Sequence, residues 1–486
     1  MLGNVIPVPW ESSVIIPGGT DGGSEFIFKI KLAAPYGDAN AGGSVTGGKM
    51  GLNVDPAYTY DFNVDWGDGN TDTNVTTAIV HQYPDLGDYT IKVTGTYPKP
   101  VIDYIASANE DFGLAMSDIV QWGNQKWKSL KKSFGTNMIG LGNTDPNNSG
   151  GAGKEAYAFK LECVDLPDLS ELEADGLVET FYGCNFLGIN NIENWTWSNS
   201  VDSLERMFYQ CVVWDGDVSA WNVNYIKTFK ETFRNNFLFD CGNAHFGTPT
   251  PLNNLTGWAP GSALSNVDLN FEGMFFYCTE LDCNFWQQDS YLSNVNTINC
   301  QDMFYWTIKL KLNLAGWSNT STKINNIVRM FYGVSYYYTG DDGSPDRYYT
   351  DDGIKTDFSN WDFNSNKTSL EGLFTSACFD NNFNCNLDSK TVTNITDFSS
   401  IFANCYLGGA NSVDNWVLNT TVGANISLFN AFQGRAYNYN TGGVIYERRG
   451  LDWRGLYGPA VSLNGWDVSA VTSFDQTFQL SKQADV

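Results

Sequence analysis

Self-similarity constrains this chain more than any other feature. A phenylalanine, usually preceded by Met, Leu, Ile or Thr, recurs at Phe181, Phe208, Phe233, Phe275, Phe304, Phe331, Phe374, Phe402, Phe432 and Phe478, with Phe134 as a degenerate first member. Most units carry a tryptophan 12 to 16 positions earlier, as at Trp195, Trp221, Trp317, Trp361, Trp416 and Trp466. One such unit cannot bury its own Trp, Val and Phe, whereas stacked units bury a continuous apolar ladder. The Trp-x-Val part is expected to run as a short strand beside its neighbours at about 4.8 Å per rung, with the Met-Phe part as a short helix on the opposite side.

The spacings hold a second rhythm. Successive gaps are 47, 27, 25, 42, 29, 27, 43, 28, 30 and 46 residues, so a long gap opens the array and returns after every third unit. Each long insertion lies between one unit's Phe and the next unit's strand, so all should leave at one corner, roughly 15 Å apart. The loop around residues 334–356 carries Tyr336, Tyr337, Tyr338, Tyr348 and Tyr349 among Asp341, Asp342, Asp351 and Asp352. The loop around 434–460 carries Arg435, Arg448, Arg449 and Arg454 with Tyr437, Tyr439, Tyr446, Trp453 and Tyr457. Tyr and Arg are the residues of adaptable contact surfaces, so these fourteen aromatic and arginine side chains are the candidate binding residues. Capping of neighbouring rungs by the same side chains is the alternative.

Two copies are especially clear: Trp466-Asp467-Val468-Ser469-Ala470-Val471-Thr472-Ser473-Phe474, leading to Phe478, and Leu204-Glu205-Arg206-Met207-Phe208-Tyr209-Gln210-Cys211. They resemble the BspA-like leucine-rich repeat, also called the bacterial surface protein repeat. Gln121-Trp122-Gly123 and Trp127-Lys128-Ser129-Leu130 resemble the start of such arrays, so the resemblance covers roughly residues 100–486. It implies a solenoid of about ten to eleven units.

Residues 1–23 hold Pro7, Pro9, Pro17 and two Gly pairs without periodicity, which reads as an extended arm. From Ser24 the period becomes two: Phe26, Phe28, Ile30 and Leu32 alternate with Glu25, Ile27, Lys29 and Lys31. Further strand-like runs at 58–66, 77–81 and 88–96 predict a small antiparallel β-sandwich over residues 24–99. Asp65-Trp66-Gly67-Asp68-Gly69, His81-Gln82-Tyr83 and Gly87-Asp88-Tyr89-Thr90-Ile91-Lys92-Val93 resemble the polycystic-kidney-disease (PKD) type of immunoglobulin-like domain. Asp65 and Asp68 fit either calcium ligation or plain turn formation, and turn formation is the expectation. The fold class expected is therefore mainly β with short helices: an Ig/PKD-like sandwich followed by a BspA-type solenoid.

Lys plus Arg total 28 against 54 Asp plus Glu, a formal charge of −26. A polyanion gains affinity through clustered Lys and Arg, so nucleic acid is not an expected partner. Only His81 and His245 are present, far apart in sequence, which leaves little for acid–base or His-rich metal chemistry. No phosphate loop, His-Glu-x-x-His, metal-type Cys-x-x-Cys or Gly-x-Ser-x-Gly elbow occurs. The acidic pairs of the 334–356 loop imitate a glycosidase pair but sit among Gly and Tyr, where solvation is the simpler reading. No catalytic residue, metal or cofactor is expected. Ten cysteines are present, of which Cys184, Cys211, Cys278 and Cys405 each follow a recurring Phe by three residues, which predicts buried free thiols rather than disulfides.

No apolar stretch approaches the ~18 residues of a membrane span, and the start Met1-Leu2-Gly3-Asn4 shows neither the basic nor the apolar region of a secretory signal. The two resemblances imply an extracellular adhesive or structural protein. With the acidity and the arm they lead to a non-enzymatic virion component on the virion surface: a phage capsid-decoration, tail or fibre protein, docked through its N-terminal region within a multimeric assembly. Its partners would be other virion proteins or a host-surface protein or glycan. A bacterial or protist cell-surface adhesin, located extracellularly, is the alternative. With no polar unit after Phe478, either the loop bearing Arg448 and Arg449 covers the open end or that end meets another protein.

Overall fold

The computed structural model describes residues 23–33, 48–85, 87–105, 113–134, 159–161, 163, 165–184, 187–189, 191–212, 214–241, 255–286, 294–310, 313–317, 320–335, 353–380, 382–405, 407, 412–421, 423–433, 437–441, 444–448 and 465–478. These are mainly β, with helix confined to three-residue 3-10 turns such as Ile192–Asn194. The expected arm, residues 1–23, lies almost wholly outside them.

The alternation after Ser24 makes β1 (Phe26–Ala33), which buries Phe26, Phe28, Ile30 and Leu32. The next strands are β2 (Lys49–Leu52), β3 (Asp61–Asp65), β4 (Thr71–Val75), β5 (Ile79–Gln82), β6 (Gly87–Thr96), β7 (Ile102–Ile105) and β8 (Gly113–Gln121). One antiparallel run orders β8-β1-β6-β3-β4, and a smaller sheet orders β5-β2-β7. The expected boundary at residue 99 falls inside this unit, because β7 and β8 follow it and pair with β2 and β1. The turn after β3 is made by its own side chains. Asp65 Oδ1 accepts the Gly67 N–H and Asp68 Oδ1 the Asn70 N–H, both at 3.0 Å, while Asp68 Oδ2 lies 2.8 Å from His81 Nε2. Gly67 is obligatory there: φ is +80°, and an added Cβ would stand 2.5 Å from the Thr90 carbonyl oxygen. Burial opposes ionisation of Asp68, but hydrogen bonds from His81 and Asn70 outweigh it and hold its carboxyl below the usual range. Tyr89 reaches the Asp85 carbonyl, whereas Tyr83 and Tyr97 are the fully buried tyrosines.

Beyond Trp122 the recurring phenylalanines form one stack. The eleven rings from Phe134 to Phe478 follow each other at centroid separations of 5.5–6.2 Å and interplanar angles of 3–21°. A backbone ladder accompanies it. In the unit of Phe275, the N–H groups of Phe271, Gly273, Phe275 and Tyr277 donate to the carbonyls of Asn299, Gln301, Met303 and Tyr305 in the following unit, at 2.8–3.0 Å. The intervening N–H groups of Met274, Phe276 and Cys278 bond three residues back within their own unit. The same alternation recurs along the chain.

This pattern corrects the expected helix opposite the strand. Wherever they are described, the residues two before and two after the recurring Phe adopt left-handed backbone, as Arg206 and Gln210 (φ 52° and 60°), Asp302 and Trp306 (both 56°) and Ser400 and Asn404 (56° and 54°). A left-handed residue every fourth position cannot continue an α-helix, so the Met-Phe segment is a run of linked turns. The parallel strands also sit later than the Trp-x-Val segment, for instance Val267–Asn270, Val295–Asn299 and Ile324–Asn326, bonded in that order. Tryptophan contributes differently. The indole N–H of Trp221, Trp258, Trp317, Trp416 and Trp466 donates to a carbonyl of the preceding unit, from 2.6 to 3.0 Å.

Long insertions leave the ladder undisturbed. Across the 43-residue gap, Arg329, Phe331 and Gly333 still donate to Glu371, Leu373 and Thr375 at 2.8–3.1 Å. At the end of the described column, Phe474 is 48% exposed, although the matching position is buried in the other units (Leu204, Phe229, Phe271, Cys300, Ile327, Leu370, Phe398, Leu428).

The ten cysteines are free thiols, as expected, and all but Cys378 are buried. Those of Cys184, Cys211 and Cys278 donate to the Phe134, Phe181 and Phe233 carbonyls of the preceding units at 2.9–3.1 Å. Burial pushes all three thiols well up, so they stay protonated donors at neutral pH.

One buried lysine ties units together in the same way. Lys367 Nζ donates to the Ser321 carbonyl at 2.9 Å and the Ser365 carbonyl at 3.0 Å. Burial pushes its amine from 10.5 down to about 8, against the opposing pull of Asp362. The unfolded chain therefore holds a proton that the folded one sheds between about pH 8 and 10.5, and over that window this group's contribution to stability rises with pH. The raised thiols act in the opposite sense, so the lysine is read by difference. Melting of Lys367→Met against the native chain, followed by circular dichroism from pH 7 to 10.5, is expected to show the variant losing that upward contribution. Parallel profiles would contradict it.

Candidate interaction surface

The turn column fixes which side chains face outward. In the units before the last described one, positions −4, −1 and 0 relative to the recurring Phe point inward, as with Phe271, Met274 and Phe275, while positions −2, +1 and +2 carry the outer face. Because each rung repeats the same turns, side chains at one position align along the column.

At +1 the alignment builds half-buried aromatic stacks. Tyr182 and Tyr209 stand 4.7 Å apart with planes 1° from parallel. Phe276 and Tyr305, then Tyr305 and Tyr332, are 4.4 Å apart at 2° and 16°. Arg234 holds the +1 position in the unit between these stacks, its guanidinium carbon 3.7 Å above the centre of the Phe276 ring. At +2, Tyr277 and Trp306 lie nearly parallel, 6.2 Å apart. Burial pushes the Tyr305 phenol up to about 12 and also raises Tyr277.

Wherever it is described, position +2 is left-handed, which favours Gly and tolerates Asn. Gly183, Asn235, Gly333 and Asn404 follow that rule and Gln210 and Ser376 depart from it with flexible or small side chains, whereas Tyr277 (φ 59°) and Trp306 (φ 56°) place large rings there. Such an arrangement costs on the order of 1–3 kcal/mol per residue and concentrates at functional sites.

At −2 the alignment builds an ionic line. Lys132 pairs with Glu179 at 3.3 Å, Arg206 bridges Glu179 and Glu231, and Arg234 also holds Glu231 at 2.9 Å. Further along, Arg329 holds Asp302 by two hydrogen bonds, 2.7 and 3.0 Å, and reaches Glu371 at 3.4 Å. The Asp302 bonds raise Arg329 above its ordinary value despite burial.

The loop residues singled out in the sequence are distributed differently. Tyr437 and Tyr439 lie on the strand Tyr437–Thr441, and Tyr446 and Arg448 on the strand Val444–Arg448. Antiparallel pairing sets Tyr437 opposite Arg448 and Tyr439 opposite Tyr446. Tyr336, Tyr337, Tyr338, Tyr348, Tyr349, Arg435, Arg449, Trp453, Arg454 and Tyr457 lie outside the described residues. Sequence reasoning missed the outer face of the repeat itself. Its signal was present, since Tyr182, Tyr209, Tyr305 and Tyr332 each directly follow a recurring Phe.

Among the described residues no group of three or more His, Cys, Asp or Glu is placed to hold a metal ion, and no helix is long and apolar enough to cross a membrane.

A family model described as "Mycoplasma protein of unknown function, DUF285" matches residues 175–249 and 346–441. Each matched stretch contains three of the recurring phenylalanines: Phe181, Phe208 and Phe233, then Phe374, Phe402 and Phe432. No curated protein and no solved structure gives a match.

The ionic line has a direct test. Arg329→Met leaves the Asp302 carboxylate, 8% exposed, without its guanidinium and is expected to cost about 2 kcal/mol. Adding Asp302→Asn should restore most of that in urea unfolding. A double variant no more stable than the single one would show that the pair does not act as a unit.

Proposed function

We propose that the chain is a non-enzymatic structural component of a virion surface, with an Ig-like sandwich of the PKD type leading into a leucine-rich-repeat solenoid of the BspA kind. The unbroken phenylalanine stack, the forward hydrogen-bond ladder and the two antiparallel sheets before them support this reading of the fold. In it the solenoid holds its outer face, together with the inserted loops, for contact with other virion proteins or a host surface.

The observation that carries the location is the thiols. Ten cysteines are free, and Cys184, Cys211, Cys278 and Cys385 donate hydrogen bonds inside the column. Disulfides form and persist in oxidising compartments and are rare where thiols are kept reduced. A chain built around protonated thiols suits folding in a reducing cytoplasm followed by release on a particle. A second reading, a bacterial cell-surface adhesin, is favoured by the bacterial description of the family model that matches the repeats.

Particles purified from the native source on a density gradient and examined by mass spectrometry test the proposal. The chain should co-sediment with them at stoichiometric copy number, with its cysteines open to alkylation after denaturation without reductant. Recovery only in the cell-envelope fraction would contradict the virion reading and leave the adhesin.

A further inference from the structure

The outer face between the units of Phe275 and Phe331 carries a chemistry narrower than a general contact surface. Phe276, Tyr277, Tyr305, Trp306 and Tyr332 cover three successive rungs, roughly 10 Å from first to last. Because Phe276, Tyr305 and Tyr332 stack face to face, what they leave for a ligand is a row of ring edges with phenol tips, which with the Tyr277 and Trp306 rings beside it suits ligands that present both C–H and hydroxyl groups. Their regular alignment means that equivalent groups recur at the rung spacing.

Two of these rings stand where the backbone disfavours them. Tyr277 and Trp306 are left-handed at a position that other described units fill with smaller or unbranched polar residues, Gly183, Gln210, Asn235, Gly333, Ser376 and Asn404. Gly333 accommodates Trp306, since a Cβ there would stand 2.9 Å from the indole. Core packing does not explain the choice, because both rings lie on the outer, half-buried face.

Charge narrows the ligand further. Arg234, beside these rings, is held by Glu231, and Arg329 by Asp302 and Glu371. The whole chain carries −26. An anionic polymer would have to break those ion pairs and approach against the net charge. A periodic surface is matched at every rung by a periodic ligand, so each repeat adds to avidity.

We propose that the aromatic strip formed by Phe276, Tyr277, Tyr305, Trp306 and Tyr332 binds a neutral, extended polysaccharide laid along the column. The proposal rests on the reading of the column as a contact scaffold and names its ligand class. It does not depend on whether the chain rides on a virion or a cell.

The test is native gel electrophoresis of the full chain through gels containing lichenan, galactomannan or dextran, with alginate as the anionic comparison. Retardation is expected in at least one neutral gel, insensitive to salt, and not in alginate. The double variant Tyr277→Asn/Trp306→Asn puts a residue suited to left-handed backbone at both positions. It is expected to melt no lower than the native chain while losing about tenfold or more in apparent association constant, the equivalent of ~1.4 kcal/mol. Tyr305→Phe/Tyr332→Phe, which keeps the stack and removes two hydroxyls, should weaken binding severalfold, a readout that holds even if the first variant folds poorly. Native migration in all three neutral gels, retardation in alginate alone, or undiminished retardation of both variants would overturn the proposal. A particle-free adhesin that is retarded, or a virion component that is not, would separate this inference from the reading of location.

Discussion

Everything beyond Trp122 depends on one constraint, the stacking of eleven phenylalanine rings at nearly constant spacing. A ring buried between the rings before and after it loses its apolar environment if either neighbour is removed, so no unit is stable alone. The backbone ladder makes the stack directional. In each unit, alternate N–H groups point forward and the others close turns, which satisfies the buried backbone without a helix or a long strand. Tryptophan indoles and cysteine thiols point backward onto carbonyls of the preceding unit. Neighbouring units are thus joined by forward backbone bonds, backward side-chain bonds and the rings between them.

The left-handed positions that make this geometry also set the chemistry of the outer face. Repeating turns bring every −2 residue into one line and every +1 residue into another, so a charge or ring placed there meets its counterpart one rung away. Arg206 between Glu179 and Glu231, and Tyr305 between Phe276 and Tyr332, are products of that alignment. Where Tyr277 and Trp306 replace Gly or Asn, local backbone preference is given up for an aromatic surface, the kind of local conflict expected at functional positions.

Much of this was legible in the sequence because period and burial leave strong traces. The recurring Phe, the cysteines three residues later and the alternation of Phe26, Phe28, Ile30 and Leu32 each report a buried position, and the structure buries them, apart from the half-buried Phe478 at the end of the described column. The turns were not legible. Left-handed backbone at Arg206, Glu231, Tyr277 and Trp306 has no signature in residue type, because the inter-unit hydrogen bonds and the stack impose it against local preference. A helix was therefore expected where linked turns occur. The unit boundary was misplaced for a related reason, since β7 and β8 join their sheets by pairing with strands far earlier in the chain. The outer aromatic strip was overlooked because the long loops, rich in Tyr and Arg, offered the louder compositional signal.

Residue-resolved amide hydrogen exchange tests the central claim most directly. The account predicts slow exchange at the outward-facing left-handed residues of internal units, such as Arg206, Gln210, Asp302 and Trp306, comparable to that of Phe208 and Phe304 beside them, because all donate to the next unit. Rapid exchange at those four with protection confined to the phenylalanines would contradict it, and would leave the units held by ring stacking without the ladder.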